Sequence, residues 1–509
     1  MMGALLSRLT GGGNPTRDFT ASIVVFLVAM PLCMGIAVAS GVAPEKGLIT
    51  GIIGGLVVGL LAGSPLQVSG PAAGLAVIVF EIVRDKGLSA LGPILVLAGI
   101  IQFAAGVMKL GGWFRAISPA VVHGMLAGIG VLIVVGQFHV LFDAKPLASG
   151  IENLSAMPGR LFGLHPGDVS GAELAFGIGL LTIGAMLGWE KFRPASMKLV
   201  PGALVGVVSA TLVAWFAGLD VTRVVVPSNI LSAVDVPDGG FLAKLGDPAI
   251  YATALAIAFI ASAETLLSAA AVDKMHDGVR TDYDKELRAQ GVGNLLCGFA
   301  GALPITGVIV RSSANVQAGA TSRLSTILHG TWILGFVALL PWLLREIPMA
   351  ALGGILVVTG IRLVSLSHVK HLFHRYGPLP AFIWAATLIT VVAEDLLTGV
   401  LVGLGLSLLE LIPHVRRLKL GVHVHQRRDD AEGHHMELHG AATFVTLPKL
   451  TKALEAVPQD KALTLHVGRL SAIDHTSAEM LNDWLQRRRA AGMRIDLAGE
   501  KGRLRGLAA

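Results

Sequence analysis

Charge is what this sequence has least of. Of its 509 residues only 15% are Asp, Glu, Lys or Arg, 53% are hydrophobic, and mean hydropathy is +0.70. Soluble globular chains are about 25% charged, so the shortage excludes an ordinary soluble enzyme or binding module. Cysteine is nearly absent. Cys33 and Cys297 both fall in apolar runs, which excludes a disulfide framework. No P-loop, HExxH, GxSxG or CxxC pattern occurs, so nothing argues for an ATPase or a hydrolase, and no cofactor is implied. The first 18 residues lack the pattern of a signal peptide, and the first hydrophobic segment reads as a retained span. The net charge of +6 and pI near 9.4 read as basic loops rather than nucleic-acid binding.

What is present is a succession of apolar runs, each long enough for a bilayer of about 30 Å, which needs roughly 20 helical residues. Hydropathy places spans near 19–39, 47–63, 71–83, 91–110, 117–137, 172–189 and 197–217. A second set follows near 250–272, 291–302, 308–319, 324–344, 347–365, 376–394 and 396–412. Fourteen spans put both ends on one side. Lys and Arg crowd the loops of that side, Lys191, Arg193, Lys198, Lys274, Arg280 and Lys285 among them, which makes it cytoplasmic by the positive-inside rule. Residues 1–18 are then a cytoplasmic N-terminus and 19–413 the membrane domain of a plasma-membrane protein with lipid around it.

The spans divide seven and seven, and an odd repeat inserts its second half upside down. Two stretches break the helical pattern at matching places, LQVSGPAAGL (66–75) and ALPITGVIVRSS (302–313). Paired Gly/Pro-interrupted spans are the strongest sequence pointer to a transporter's binding site. Two half-helices starting there offer unpaired N–H groups and about half a positive charge each, which suits an anion. In the second span Gly47, Gly51, Gly55, Gly59 and Gly63 recur every fourth residue, a bare face for close helix packing.

Glu264 lies mid-span with Ser268 one turn on, and intramembrane carboxylates are expensive and normally face a cavity. It could bind a cation, carry a proton, shape the anion site, or serve as a structural hydrogen-bonding group. Arg311 follows the second break by about one turn and would deepen an anion well, or else neutralise Glu264. Ser312, Ser313 and Asn315 could support it. The charged stretch 273–291 reads as a cytoplasmic loop suited to docking a soluble domain. His123 in the fifth span reads as a packing histidine. His423, His425, His434, His435 and His439 lack fixed spacing with Cys or carboxylate, and no metal site is expected. After 413 the character changes: 414–435 reads as a polar linker and 436–509 as a small α/β domain, with paired strands expected in MELHGAATFVTL.

These segments resemble a known family. GLITGIIGGLVVGLLAGSPLQVSGPAAG is similar to the second and third spans of SulP anion transporters, the group that includes prestin. AETLLSAAAVDKM, DKELRAQGVGN and GALPITGVIVRSSANVQAGATSRLS resemble their eighth to tenth spans, and the tail resembles a STAS domain. The resemblance implies an α-helical polytopic membrane protein, a 7+7 inverted repeat. Its core would hold spans 1–4 and 8–11 and its gate spans 5–7 and 12–14, with a cytoplasmic STAS domain, a homodimer and elevator-like displacement of the core. It implies an anion pocket at Ala72, Ala73, Thr306, Gly307, Val308 and Arg311. It also implies a cation-coupling site at Glu264 and Ser268, and a regulatory pair at Asp474 and Thr476. Pro31-Leu32-Cys33-Met34 stands where the family often has P-Q-A-M. Glutamate replaces the aspartate of sodium–bicarbonate members, which favours H⁺ over Na⁺. The wording is close to the branch commonly encoded beside carbonic anhydrases, so bicarbonate is the expected anion and a functional link to carbonic anhydrase follows. Sulfate or a C4 dicarboxylate carried by proton symport, and an uncoupled exchanger or channel, are the alternatives.

Overall fold

The computed structural model describes residues 13–114, 118–163, 171–227, 229–235, 237, 239–276, 278–366, 369–370, 373–374, 377–410, 420–425, 433–457, 462–490 and 492–499. The chain forms two compact units. One comprises residues 1–111, 127–364 and 392–396, the other 112–126, 365–391 and 397–509.

Helices form where the apolar runs are. In the first half they are α1 (Pro15–Ala39), α2 (Pro44–Ile53, continued by a π-helical turn at Gly54–Val58 and a last turn to Leu61), α3 (Ala76–Lys86), α4 (Leu91–Val107), α5 (Pro119–Val140), α6 (Gly150–Phe162), α7 (Gly171–Phe192) and α8 (Gly202–Phe216). The second half supplies α9 (Pro248–Asp273), α10 (Tyr283–Phe299), α11 (Ile309–Gln317), α12 (Leu324–Leu339), α13 (Met349–Leu363), α14 (Pro378–Ala393) and α15 (Leu396–Glu410). Among the described residues six helices are long and apolar enough to cross a membrane, and five more apolar helices are shorter. The other expected spans fall on α3, α10 and α11, which are too short or too polar to qualify alone.

Two differences from the sequence reading have local causes. The expected loop 273–291 is mostly helix. Asp282 caps α10 by accepting from the Lys285 N–H, and buried Glu286 accepts from the Gly63 and Ser64 amides at 2.8 and 2.9 Å. Asp284, Lys285, Glu286 and Arg288 thus belong to a helix start, and the loop ends at Asp282. The amphipathic α6 was not expected. Ser149 caps it, and Asn153 anchors it by donating to the Leu147 and Ser149 carbonyls.

The expected bare face on α2 is real. A methyl on Gly47 would meet the Cys33 carbonyl of α1 at 2.0 Å, and one on Gly55 would meet the Gly330 Cα of α12 at 2.5 Å. A methyl on Gly63 would meet the Asp282 carbonyl at 2.0 Å. Asp18, fully buried near the start of α1, ties that helix to α12 by accepting from the Thr321 and Ser322 amides at 2.6 and 3.0 Å.

The C-terminal part of the second unit is a four-stranded sheet in the order β3 (Leu420–His425), β4 (Gly433–Ala442), β5 (Ala462–Ile473) and β6 (Ile495–Ala498), numbered after two short strands described below. β3 and β4 are antiparallel, and the other pairs are parallel. Helices α16 (Leu447–Glu455) and α17 (His475–Ala490) complete the α/β domain. Leu438, Leu450, Leu465, Leu481 and Leu485 are fully enclosed in its core. The expected linker 414–435 therefore contains β3 and the start of β4. Histidines in LGVHVH masked its strand alternation. The paired strands expected in MELHGAATFVTL are instead one strand followed by a turn and α16.

Gly55→Ala should lower the melting temperature of the detergent-solubilised protein, because the added carbon meets helix backbone, and overpacking costs about 1–3 kcal/mol. Gly184→Ala, on α7 with nothing within 4 Å, should leave it unchanged. Equal melting points for the two variants would refute the close α2–α12 contact.

Candidate functional site

The two broken stretches meet. Ser69–Pro71 (β1) and Ile305–Gly307 (β2) pair as a short antiparallel ladder, with Ser69 opposite Gly307, Gly70 opposite Thr306 and Pro71 opposite Ile305. A 3-10 turn at Ala73–Leu75 then leads into α3, and α11 starts at Ile309 after Val308. Because the ladder is antiparallel, the two helices leave from its opposite ends. Neither start carries a side-chain cap, and at α3 the 3-10 turn takes the Ala76 amide through the Ala73 carbonyl.

Backbone unwound inside an apolar bundle must find hydrogen bonds, and here each comes from a named group. The Ala72 amide donates to the Pro304 carbonyl at 3.2 Å, and Val308 to the Val68 carbonyl at 2.9 Å. The Gly307 amide donates to Thr265 Oγ1 of α9 at 3.1 Å. Asn294 of α10 bonds Ile305 both ways, its Oδ1 accepting at 2.8 Å and its Nδ2 donating at 3.0 Å. Gln102 of α4 braces Asn294 and donates to Ser262. Gln290 donates to Ser69 Oγ at 2.7 Å, and Asn315 to the Leu66 carbonyl at 3.0 Å.

Arg311 is different. It is fully buried, and among the described residues none of its Nε, Nη1 and Nη2 atoms meets an oxygen or nitrogen acceptor. The Cys33 thiol lies beside it. A carbon added to Gly70 would sit 1.9 Å from Nη1, so the guanidinium packs against bare ladder backbone, opposite Thr306. Thr306 Oγ1 is buried and unpartnered as well. An uncompensated buried charge costs several kcal/mol, and an anion received there would supply what the protein withholds.

Glu264 sits at another point. Its carboxylate lies against Gly74, where an added carbon would sit 2.8 Å from Oε2, and among the described residues Oε2 has no hydrogen-bond partner. Among the described residues neither Glu264 nor Arg311 is in an ion pair, so the arginine does not neutralise the glutamate. The two charges touch backbone four residues apart, at Gly70 and Gly74, a stretch no longer than about 14 Å. Ser268 is buried one turn along α9 from Glu264. Ala72, Ala73, Thr306, Gly307, Val308, Arg311 and Glu264 thus gather at the crossing. Sequence reasoning missed Gln102, Asn294 and Gln67, whose Nε2 donates to the Thr265 carbonyl at 2.9 Å. Each is a polar residue in an apolar run, a costly placement that was the available signal.

A cleft of about 340 Å³ opens between α1, α7, α8, α11 and α13. Val24, Val28 and Val310 line it with Glu190, Arg193, Lys198 and Arg362, and Arg362 pairs with Glu190. Its lining on α11 reaches Val310, the neighbour of Arg311. In the α/β domain, Asp474 accepts from the Ser477 and Phe444 amides at 2.8 and 2.6 Å, a cap that holds the start of α17. Thr476 is 3% exposed and its hydroxyl has no partner. Modifying it would require that helix start to open.

Two interrupted helices crossing around an unpaired arginine define a helical membrane transporter. Residues 16–387 match the sulfate permease family, and the chain belongs to it. It is 27% identical over 492 residues to the putative sulfate transporter YbaR of Bacillus subtilis, covering 96% of this chain and 95% of that one. It is 26% identical over 412 residues to the bicarbonate transporter BicA of Picosynechococcus, covering 77% and 69%. The transmembrane domain of a cyanobacterial BicA superposes with a TM-score of 0.64 at 24% identity, over 75% of this chain and 97% of that one. SLC26A9 superposes with a TM-score of 0.69 at 16% identity, over 97% and 86%. The protein is an anion transporter of this family, in the fold shared with those two structures.

Arg311→Gln should reduce anion uptake by roughly 10- to 150-fold, the value of a charge-assisted hydrogen bond of about 1.5–3 kcal/mol. The same variant should melt no lower than the parent without substrate, and substrate should no longer stabilise it. A large loss of intrinsic stability would make the arginine a structural residue. Gly70→Ala should displace the guanidinium and raise KM for uptake, while Gly177→Ala, with open space around it, should not. An unchanged KM in Gly70→Ala would place the anion elsewhere.

Proposed function

We propose that the chain is a secondary active transporter of a small inorganic anion, bicarbonate first, coupled to H⁺ uptake at Glu264 and working by elevator-like displacement. The observation that carries the anion site is the buried Arg311 guanidinium without an acceptor, set against the ladder at Gly70 and Thr306. Ala72, Ala73, Gly307 and Val308 supply the surrounding backbone. The cleft reaching Val310 is the access route, with Arg193, Lys198 and Arg362 favouring anions at its lining.

Coupling follows from where Glu264 sits. Ionised, it lies against Gly74 at the positive start of α3 and repels a second negative charge. Protonated, it withdraws that repulsion and leaves the helix end to the substrate. Proton and anion then assist each other's binding, which is the thermodynamic content of symport. Among the described residues no Lys or Arg pairs with Glu264 to hold it charged, which favours H⁺ over a Na⁺ site built with Ser268. Sulfate is the second reading, favoured by the near full-length match to a putative sulfate transporter. We also read the C-terminal domain as a cytoplasmic STAS domain and the assembly as a homodimer in the plasma membrane. Both termini are then inside, and carbonic anhydrase is a functional partner.

Radiolabelled uptake into proteoliposomes tests this. An inward proton gradient in sodium-free medium should drive accumulation, and Glu264→Gln should abolish that drive while leaving anion exchange. Sulfate must be run beside bicarbonate, because pH also shifts CO₂ speciation. Strict sodium dependence, or an unchanged pH response in the variant, would reject proton coupling. No flux of any anion under any gradient would sink the transport reading.

A further inference from the structure

Beside the unpaired arginine stands a side chain that the transport reading leaves unused. Cys33 of α1 is fully buried, and its thiol lies next to the Arg311 guanidinium. The bare face of α2 holds it there. A carbon on Gly47 would meet the Cys33 carbonyl at 2.0 Å, and one on Gly51 would meet Sγ at 2.8 Å. On α1 the lining of the cleft reaches Leu32, and on α11 it reaches Val310. Cys33 and Arg311 therefore each stand one residue beyond the cleft, on the two helices that flank it.

What stands at that position decides what the guanidinium can bond in the empty site. A hydroxyl or carboxylate oxygen accepts readily from a guanidinium, whereas a neutral thiol is a weak acceptor. Cys33 fills the space with a polarizable atom of low hydrogen-bonding power. Among the described residues no oxygen or nitrogen takes its place as a partner for Nε, Nη1 or Nη2, and Thr306 Oγ1 across the ladder is unpartnered too. An oxygen at residue 33 would satisfy the arginine before any substrate arrived. The anion would then exchange one hydrogen bond for another, and only the difference would count towards binding.

We propose that Cys33 is a positioning residue that sets the affinity of the anion site, an inference that rests on Arg311 as the anion's ligand. Its thiol occupies the place beside the guanidinium without satisfying it, and so keeps the arginine's donors for an oxyanion. Stability and affinity oppose each other at this residue. Whatever satisfies Arg311 steadies the empty protein and weakens its hold on the substrate. A cysteine that only packs predicts otherwise, because substituting it lowers stability and leaves affinity alone.

The test compares Cys33→Ser, Cys33→Ala and Cys33→Asp in the whole chain. It reads uptake of radiolabelled bicarbonate and sulfate into proteoliposomes, and the melting temperature in detergent with and without sulfate. Cys33→Ser should raise KM roughly two- to tenfold, the range spanned by one net hydrogen bond, with the maximal rate retained. Without substrate it should melt no lower than the parent. Cys33→Ala offers no acceptor, so its KM should stay near the parent's while its melting temperature falls. Cys33→Asp should pair with Arg311 and abolish stabilisation by sulfate; should it fail to fold, the serine variant carries the test. An unchanged or lowered KM in Cys33→Ser, or a KM raised as much in Cys33→Ala, would overturn the assignment and leave Cys33 a packing residue. Sulfate binding that survives Arg311→Gln would instead overturn the anion site itself, which keeps the two failures apart.

Discussion

The structure turns on a guanidinium held out of water with nothing to bond. Arg311 is as buried as any leucine in the bundle, and among the described residues no oxygen or nitrogen acceptor meets its three nitrogens. That arrangement persists only if the surrounding packing enforces it and a guest makes it useful. Both broken helices serve this end. Unwinding residues 66–72 lets bare backbone at Gly70 lie against the guanidinium, which a continuous helix with its radial side chains would prevent. The cost is a set of freed amides and carbonyls at the middle of an apolar bundle. Thr265, Asn294, Ser312 and Asn315 meet that cost, and Gln102 steadies Asn294 from α4.

The glycine row of α2 belongs to the same economy of space. Gly47 and Gly51 admit Cys33 of α1, and Cys33 in turn flanks Arg311. Gly54 lies against the Ser69 carbonyl at the edge of the ladder, within the π-helical turn, and Gly55 admits α12. A π turn inside a helix is rare and recurs at functional sites. Here it falls where α2 must pass the unwound strand and α12 at once. Removing side chains from one helix is thus what lets the ladder and its arginine sit in the interior.

Much of this was legible in the sequence, and for a stated reason in each case. Apolar runs announce spans because lipid demands them. The breaks stood out because Ser69, Gly70 and Pro71 are poor residues for a membrane helix. Glu264 and Arg311 stood out as charges in hydrocarbon. What could not be read was relation. Whether Arg311 neutralises Glu264 depends on a separation that only the fold sets, and the two prove to address different points of the third span. The ladder was invisible because its strands are three residues long and their partners lie more than 200 residues apart. The start of α10 was hidden by its own charges, since Glu286 is buried against the Gly63 and Ser64 amides. The first strand of the C-terminal sheet was hidden by histidines that alternate with its apolar residues.

The positions of the two charges bear on which anion the site suits. An arginine and two helix starts of about half a charge each give roughly +2 at the crossing, and ionised Glu264 reduces this to roughly +1. A monovalent guest such as bicarbonate then balances the site with Glu264 ionised. A divalent guest such as sulfate leaves about one excess negative charge in a low-dielectric interior, where each close charge pair interacts strongly. On the proposed coupling, proton uptake by Glu264 would restore the balance. The two substrate readings therefore carry different demands on the same residue. For a dianion the proton would be close to obligatory on this proposal, whereas for a monoanion it would only strengthen binding by withdrawing a like charge. The substrate's charge and the degree of proton coupling are in this way one physical question, posed by a carboxylate at the start of α3 and an arginine with no partner of its own.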